Sequence, residues 1–228
     1  MELQRKIMAY CERMSEAFWA EPLNAITNIA FLVGAIAAFL YARRADRLDG
    51  PVLFLCLNAF VVGIGSFLFH TFATRWAAIA DTTPIMIFIL AYFTIAMNRY
   101  AGLNWGRAAL AMLGFLVAMI AVSWVLNILL RDIIGGSVSY GPALLALLAI
   151  GTWLASRGHG AGVPLMLGAA LFTVSLSFRA ADQPFCSAWS YGTHFGWHLL
   201  NGLLLWWLIM TLIRHGRPPE PASRTAPA

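Results

Sequence analysis

The sequence predicts an all-α membrane protein folded as a bundle of seven transmembrane helices. Of its 228 residues, 61% are hydrophobic and 11% are charged. Soluble domains average about 45–50% apolar and about 25% charged residues, so this composition excludes an ordinary soluble core. The apolar residues also fall into seven stretches, each close to the ~20 residues that cross the hydrocarbon core of a bilayer.

The seven predicted spans follow one another with short connections. They are residues 24–42, 51–71, 78–98, 107–130, 138–155, 161–179 and 192–213. The charged segment 1–23 is predicted to be amphipathic. A small-residue cleavage site does not follow the first span, so this span is not expected to be a signal peptide. The tail 214–228 is rich in proline and small residues and is predicted to be disordered. The chain therefore divides into an N-terminal segment, a seven-helix catalytic domain (24–213) and a tail.

Positive charges outside the spans predict an outward-facing N-terminus and a cytoplasmic C-terminus. More arginines lie on the C-terminal side of the spans than on the N-terminal side, and cytoplasmic loops carry such an excess. The net charge of +5 reflects this bias, and no nucleic-acid partner is predicted. We expect a multi-pass integral protein in contact with bilayer lipid, and the short loops without organelle signals favour a bacterial inner membrane.

Ionisable residues in or beside the apolar stretches form one constellation. His194 and His198 are four residues apart and share one face of the seventh span. His70 ends the second span and Asp81 opens the third, while Ser66 lies one turn before His70. Even spans end on the side where odd spans begin, so all five residues are predicted at one membrane level. An unpaired polar group at that depth costs several kcal/mol, which favours a functional site.

The residue types in this constellation are typical of a catalytic metal site. Three imidazoles suit Zn²⁺, and catalytic zinc sites keep three protein ligands and one open position. Asp81 would orient a ligand or accept a proton from water, and Ser66 would donate a hydrogen bond to a developing oxyanion. Taken singly, each residue has a structural interpretation: His70 at the interface, Asp81 as a helix cap, and Ser66 at a helix contact.

Several motifs resemble those of the alkaline ceramidase family, and together they cover most of the chain. They are Cys11-Glu12, Glu21-Pro22-Leu23-Asn24, Gly63-Ile64-Gly65-Ser66-Phe67-Leu68-Phe69-His70, Asp81-Thr82-Thr83-Pro84, the segment from Asp182 to Cys186, and Gly192-Thr193-His194-Phe195-Gly196-Trp197-His198. The resemblance includes every ionisable residue of the constellation.

The resemblance implies a seven-helix, zinc-dependent amidase that cleaves ceramide or a related N-acyl lipid into a fatty acid and an amine. His70, His194 and His198 would then be the zinc ligands, and Ser66 and Asp81 the catalytic serine and acid. The wider superfamily includes the adiponectin and progestin receptors. A lipid receptor or signalling protein with the same fold is therefore the alternative, which turnover of a lipid amide would distinguish.

The N-terminal segment carries two further expectations. Spacing places Cys11 and Cys186 on the same side of the membrane and leaves their pairing open, whereas the resemblance implies a disulfide. The family also places calcium in this segment. Glu12 and Glu21 are present, but Ala9 and Met14 replace an expected Asp and Asn, and calcium prefers six to eight oxygen ligands. We therefore expect calcium binding at Glu12 and Glu21 to be badly weakened.

Three other classes of membrane protein fit less well or stay open. A proton or ion pathway is disfavoured because the polar groups cluster at one membrane level instead of crossing it. A retinal protein is excluded because the only lysine, Lys6, lies outside every predicted span. A serine hydrolase that uses Ser66 with a histidine stays open, and activity that resists chelators would favour it over zinc chemistry.

Overall fold

The computed structural model describes residues 2–216, and most of these residues are helical. The eight α-helices, in chain order α1 to α8, are Pro22–Thr27, Ile29–Arg44, Gly50–Phe72, Arg75–Arg99, Trp105–Ile134, Gly141–Ser156, Gly162–Phe185 and His194–His215. Short 3₁₀ helices occupy Glu2–Gln4 and Gly135–Tyr140. Within residues 2–216, the only β pairing is an isolated bridge between Lys6 and Thr74. The predicted all-α class is confirmed.

Within residues 2–216, six apolar stretches are long enough to cross a membrane. They are Pro22–Arg44, Gly50–Phe72, Arg75–Arg99, Trp105–Ser156, Gly162–Phe185 and His194–His215. Each of the seven predicted spans overlaps helix within these stretches. The longest stretch has 52 residues and contains α5, the second 3₁₀ helix and α6.

Helix boundaries differ from the prediction at three places. The helix α4 begins at Arg75, so Asp81 lies in its second turn and is not a cap. The reason is that Ala73, the residue that follows α3, adopts a left-handed conformation (φ 47°) and ends that helix. Only a tight turn then separates α3 from α4. The helix α7 continues to Phe185, well past the predicted end at 179. The helix α8 continues to His215, and the rest of the predicted disordered tail, 217–228, lies outside the described residues.

Helices that are consecutive in the chain pack side by side from α2 to α8, and α8 closes the ring against α2. The helix α8 is the most central, and its buried residues include both histidines and a run from Leu208 to Ile213. By contrast, α5 is peripheral and buries only Ala108 and Met119. The core therefore lies around α8 and the inner faces of α2, α3 and α4.

The N-terminal strap, which we define as residues 5–21, crosses the end of the bundle where α3 ends and α8 begins. Its backbone is tied to the α3–α4 turn, because the Ile7 N–H donates to the Ala73 carbonyl at 2.8 Å and the Arg75 N–H donates to the Arg5 carbonyl at 3.1 Å. The disulfide between Cys11 and Cys186 joins the strap to the end of α7. The strap thus covers the end of the bundle that holds the predicted constellation.

Candidate active site

The three predicted metal ligands meet beneath the strap. His70 comes from the last turn of α3, and His194 and His198 come from the first two turns of α8. One ring nitrogen from each lies within 4.8 Å of the others, and all three side chains are buried. The i, i+4 spacing on α8 brings two imidazoles to the same face, as the sequence predicted.

The ring of His70 is oriented by a buried carboxylate. Its Nδ1 lies 2.6 Å from Glu21 Oε2, at the end of the strap. The carboxylate accepts a hydrogen bond from Nδ1–H, which leaves the lone pair of Nε2 free to bind a metal. Burial would raise the pKa of Glu21, but the hydrogen bonds from His70 and Arg13 outweigh it and hold that pKa below its usual range.

The ring of His198 is oriented by a threonine hydroxyl. Thr27 Oγ1 donates to the Leu23 carbonyl at 2.8 Å, and His198 Nδ1 lies 3.0 Å from the threonine Oγ1. Because the single hydroxyl proton goes to the backbone, the oxygen accepts from Nδ1–H, and Nε2 carries the free lone pair. That Nε2 is buried without a hydrogen-bond partner among the described residues.

His194 is held from two sides. Its backbone N–H donates to Asp182 Oδ1 at 3.0 Å, and the ring of Tyr10 stacks on its imidazole with centroids 3.6 Å apart. Its Nδ1 is the second buried imidazole nitrogen that lacks a partner within residues 2–216. Unpartnered buried nitrogens are costly, and a bound metal would use their lone pairs. Three imidazoles with oriented rings therefore fit zinc.

Ser66 and Asp81 lie next to the histidine cluster because α3 and α4 pack unusually closely. A Cβ atom at Gly65 would collide with the carbonyl oxygen of Ala80, so only glycine permits this approach. The neighbouring residues on the two helices, Ser66 and Asp81, interact through their side chains. His70 is an electrostatic neighbour of Asp81. Ser66 is buried and Asp81 is partly buried.

Both candidate calcium ligands have donors from the chain itself. The two carboxylate oxygens of Glu12 accept the backbone N–H groups of Leu23 at 2.7 Å and Asn24 at 2.8 Å. Burial raises the pKa of Glu12 despite these two hydrogen bonds. Glu21 pairs with His70 and with the Arg13 guanidinium. A badly weakened calcium site stays a prediction, and this bonding pattern is in keeping with it.

The sequence did not single out three residues that support the site. Arg13 is fully buried in the strap and pairs with Glu21. Arg179, the last residue of the sixth predicted span, lies on α7 beside the aromatic rings of Tyr140 and Trp197. Asp182 accepts hydrogen bonds from three backbone N–H groups. One sequence feature could have indicated Arg179 and Asp182. They are two charged residues three positions apart at the end of an apolar stretch, a spacing typical of a helix that continues past its membrane span.

Asp182 joins the three segments that meet at the site. Its Oδ2 accepts the N–H of Cys11 at 3.0 Å, and its Oδ1 accepts the N–H groups of Thr193 at 2.8 Å and of His194. It therefore satisfies the first donors of α8 from a neighbouring helix. Gly192 adopts φ 63°, and a Cβ there would collide with this carboxylate. Cys11, Asp182 and Cys186 also cluster, but the two sulfurs bond to each other and do not form a metal site.

An apolar cavity that is partly open to the surroundings lies in the bundle directly beyond the site. Val62, Ile85 and Asn201 line it, and they lie about one helical turn from Ser66, Asp81 and His198 respectively. The lining extends along α8 to Leu208, ten residues past His198, which at 1.5 Å per residue corresponds to ~15 Å. The histidine cluster therefore lies at the end of an elongated hydrocarbon-lined space.

The sequence matches a known protein family. A family model described as Ceramidase matches residues 7–215, which covers most of the strap and the helices α1 to α8. No curated protein matches the sequence.

Proposed function

The chain belongs to the ceramidase family, and we propose that it is a zinc-dependent membrane amidohydrolase that cleaves the amide bond of ceramide or a related N-acyl lipid. The products are a fatty acid and an amine. The observation that carries this proposal is the buried cluster of His70, His194 and His198 at the end of the apolar cavity.

The three histidines would hold the metal, each ring fixed by its own partner. Glu21 orients His70, Thr27 orients His198, and Tyr10 supports His194. When bound, zinc would supply Lewis-acid chemistry that polarises the amide carbonyl and the attacking water. The protein groups that orient the three imidazole rings would raise the basicity of the rings and limit their motion.

Asp81 and Ser66 would carry out the proton transfer and the stabilisation of charge. Asp81 accepts a proton from the attacking water as the new C–O bond forms and passes it to the amide nitrogen as the C–N bond breaks. Ser66 donates a hydrogen bond to the oxyanion that develops on the carbonyl oxygen. Their adjacency, which depends on the close α3–α4 packing at Gly65, supports these complementary roles.

The acyl chain of the substrate would occupy the apolar cavity. Its walls are mostly aliphatic and aromatic side chains from α2 to α8, and the scissile amide at the carboxyl end of the chain would lie at the level of Ser66 and Asp81. Burial of methylene groups in this cavity contributes about 0.8 kcal/mol each, which favours long-chain amides over short ones.

We further propose that the chain crosses the membrane seven times with the strap on the outer face. The 52-residue stretch Trp105–Ser156 is long enough for two crossings, since one needs ~20 residues. The disulfide between Cys11 and Cys186 supports an outer location for the strap, because such bonds persist in oxidising compartments.

Metal content and turnover of purified protein test the proposed function. We expect about one zinc per chain in the wild type and none in the His194→Ala, His198→Ala double variant. Ceramide hydrolysis should disappear together with the metal and should be lost on chelation. A folded wild-type protein that contains no zinc and hydrolyses no lipid amide would exclude the amidase and favour a receptor. Activity that persists after chelation would instead favour the serine hydrolase.

A further inference from the structure

Arg179 places a guanidinium group beside the active site, and the side chains in direct contact with it are neutral. It lies over the rings of Tyr140 and Trp197, at 5.4 Å and 5.7 Å from their centroids. Its nitrogens donate to Ser137 Oγ at 3.2 Å and to the Tyr10 hydroxyl at 3.4 Å. Two aromatic faces and two hydroxyl groups therefore fix the position of the guanidinium.

Among residues 2–216, no carboxylate forms a direct ion pair with this guanidinium. The ion pairs formed by the described residues involve Arg13, His70, Arg75 and Arg99, and none involves Arg179. A guanidinium has five N–H donors, and the contacts above use two of its nitrogens for single bonds to neutral oxygens. Charged side chains that leave water are ordinarily paired. Arg179 thus keeps unused donors and forms no direct ion pair, while Asp81 on α4 influences it from a greater distance.

This charge acts on the reacting groups. Arg179 is an electrostatic neighbour of Asp81, His194 and His198. Tyr10, which accepts its hydrogen bond, stacks on His194. Tyr140, which lies beneath its guanidinium, also lines the apolar cavity. Arg179 therefore lies where the hydrocarbon space meets the histidine cluster.

We propose that Arg179 is the anion-binding group of this site and that it holds a carboxylate at the end of an acyl chain that occupies the cavity. This proposal rests on the proposed amidase function, since amide hydrolysis creates such a carboxylate as the fatty acid forms. The same chemistry has a second source, an acidic group on the amine half of the substrate, as in an N-acyl amino acid. Arginine suits either source because its planar donors bind a carboxylate in a bidentate manner.

Equilibrium binding tests the proposal without any need for turnover. A fluorescent fatty acid bound to the purified protein is displaced with palmitate or with hexadecanol, which differ in charge but match in chain length. We expect palmitate to bind the wild type at least about tenfold more tightly, a ratio that equals about 1.4 kcal/mol. In Arg179→Gln the preference should fall below about threefold, and Arg179→Lys should be intermediate. A purely structural role for Arg179 would weaken both ligands equally.

Arg214→Gln is the matched control, because that guanidinium also lies over an aromatic ring, Tyr41, but at the opposite end of the bundle. It should leave the preference unchanged. A second experiment compares the hydrolysis of an N-acyl amino acid and of an N-acyl ethanolamine. If the substitution Arg179→Gln raises KM only for the N-acyl amino acid, the carboxylate belongs to the amine half of the substrate. If the substitution changes KM equally for both substrates, the carboxylate belongs to the fatty-acid product.

Two results would overturn the proposal. One is a wild type that binds palmitate and hexadecanol equally. This measurement does not depend on the folding of any variant. The other is an Arg179→Gln protein with wild-type unfolding temperature and zinc content that keeps the full preference for palmitate. A wild type that shows the preference but hydrolyses no lipid amide would refute the amidase function and leave the anion site established.

Discussion

Removal of the Arg13 guanidinium should destabilise the site through Glu21. In Arg13→Met the hydrocarbon stem is largely kept, while Glu21 stays buried with only His70 and Asn24 as side-chain partners. The two side chains of this ion pair are 0% and 2% exposed, so solvent does not screen it. Breaking a buried pair on one side typically costs about 3–5 kcal/mol. The change also removes the donors to the His70 carbonyl at 2.8 Å and to the Ala17 carbonyl at 3.2 Å.

Thermal unfolding in detergent, together with metal analysis, measures this effect. Chains of roughly this length shift by about 2–4 °C for each kcal/mol, so the expected fall is ~6–20 °C. Zinc content should fall as well, because Glu21 no longer holds the ring of His70. The matched control is Arg75→Met, which breaks an exposed ion pair with Glu2 and should change the stability by no more than about 1 kcal/mol.

A double variant separates the stranded charge from lost packing. Arg13→Met combined with Glu21→Gln removes both charges, so it should be more stable than the sum of the two single variants predicts. Wild-type unfolding temperature and zinc content in Arg13→Met would refute the reasoning. Strict additivity in the double variant would show that Arg13 acts only through its hydrogen bonds to the backbone.

Other changes test the roles of single residues. Asp81→Asn should lower kcat by about 10²–10⁴-fold while zinc is retained, and zinc loss would instead identify a ligand. Ser66→Ala should lower kcat by about 10²–10³-fold with little change in KM, as removal of an oxyanion donor does; an unchanged kcat would exclude that role. Gly192→Ala should lower the unfolding temperature, because its φ of 63° and the nearby carboxylate of Asp182 exclude a Cβ, and wild-type stability would contradict this geometry. Ala146→Phe, which narrows the cavity, should slow hydrolysis of long-chain amides but spare short-chain ones, as a chain-length series measures.

Periodicity and residue chemistry were sufficient for the helices and for the histidine cluster. His194 and His198 share a helix face by spacing alone, and His70 and Asp81 lie at one membrane level by the alternation of the spans. The groups that orient the rings were not predictable in this way. Arg13 and Glu21 lie in an irregular strap without a repeating pattern. Their shared partner in the bundle, His70, is more than forty residues away in the chain.

The sixth predicted span was ended at Arg179 because charged residues ordinarily mark the end of a span, which left Asp182 in the following loop. In the structure, α7 continues through them because each charge finds a local environment that accepts it. Aromatic rings and hydroxyl groups surround the guanidinium, and backbone N–H groups surround the carboxylate. Hydropathy alone cannot distinguish a charge in such surroundings from a charge in water.

The placement of two proposed ligands, His194 and His198, on α8 has a consequence for the order of events during synthesis. Until this helix has left the ribosome and inserted, the nascent chain holds only His70 of the three clustered histidines. The same helix closes the ring of the bundle against α2. If the cluster binds zinc as proposed, the metal site is complete only after α8 has inserted, and a chain that stalls before α8 would lack the proposed hydrolytic activity toward the lipids around it.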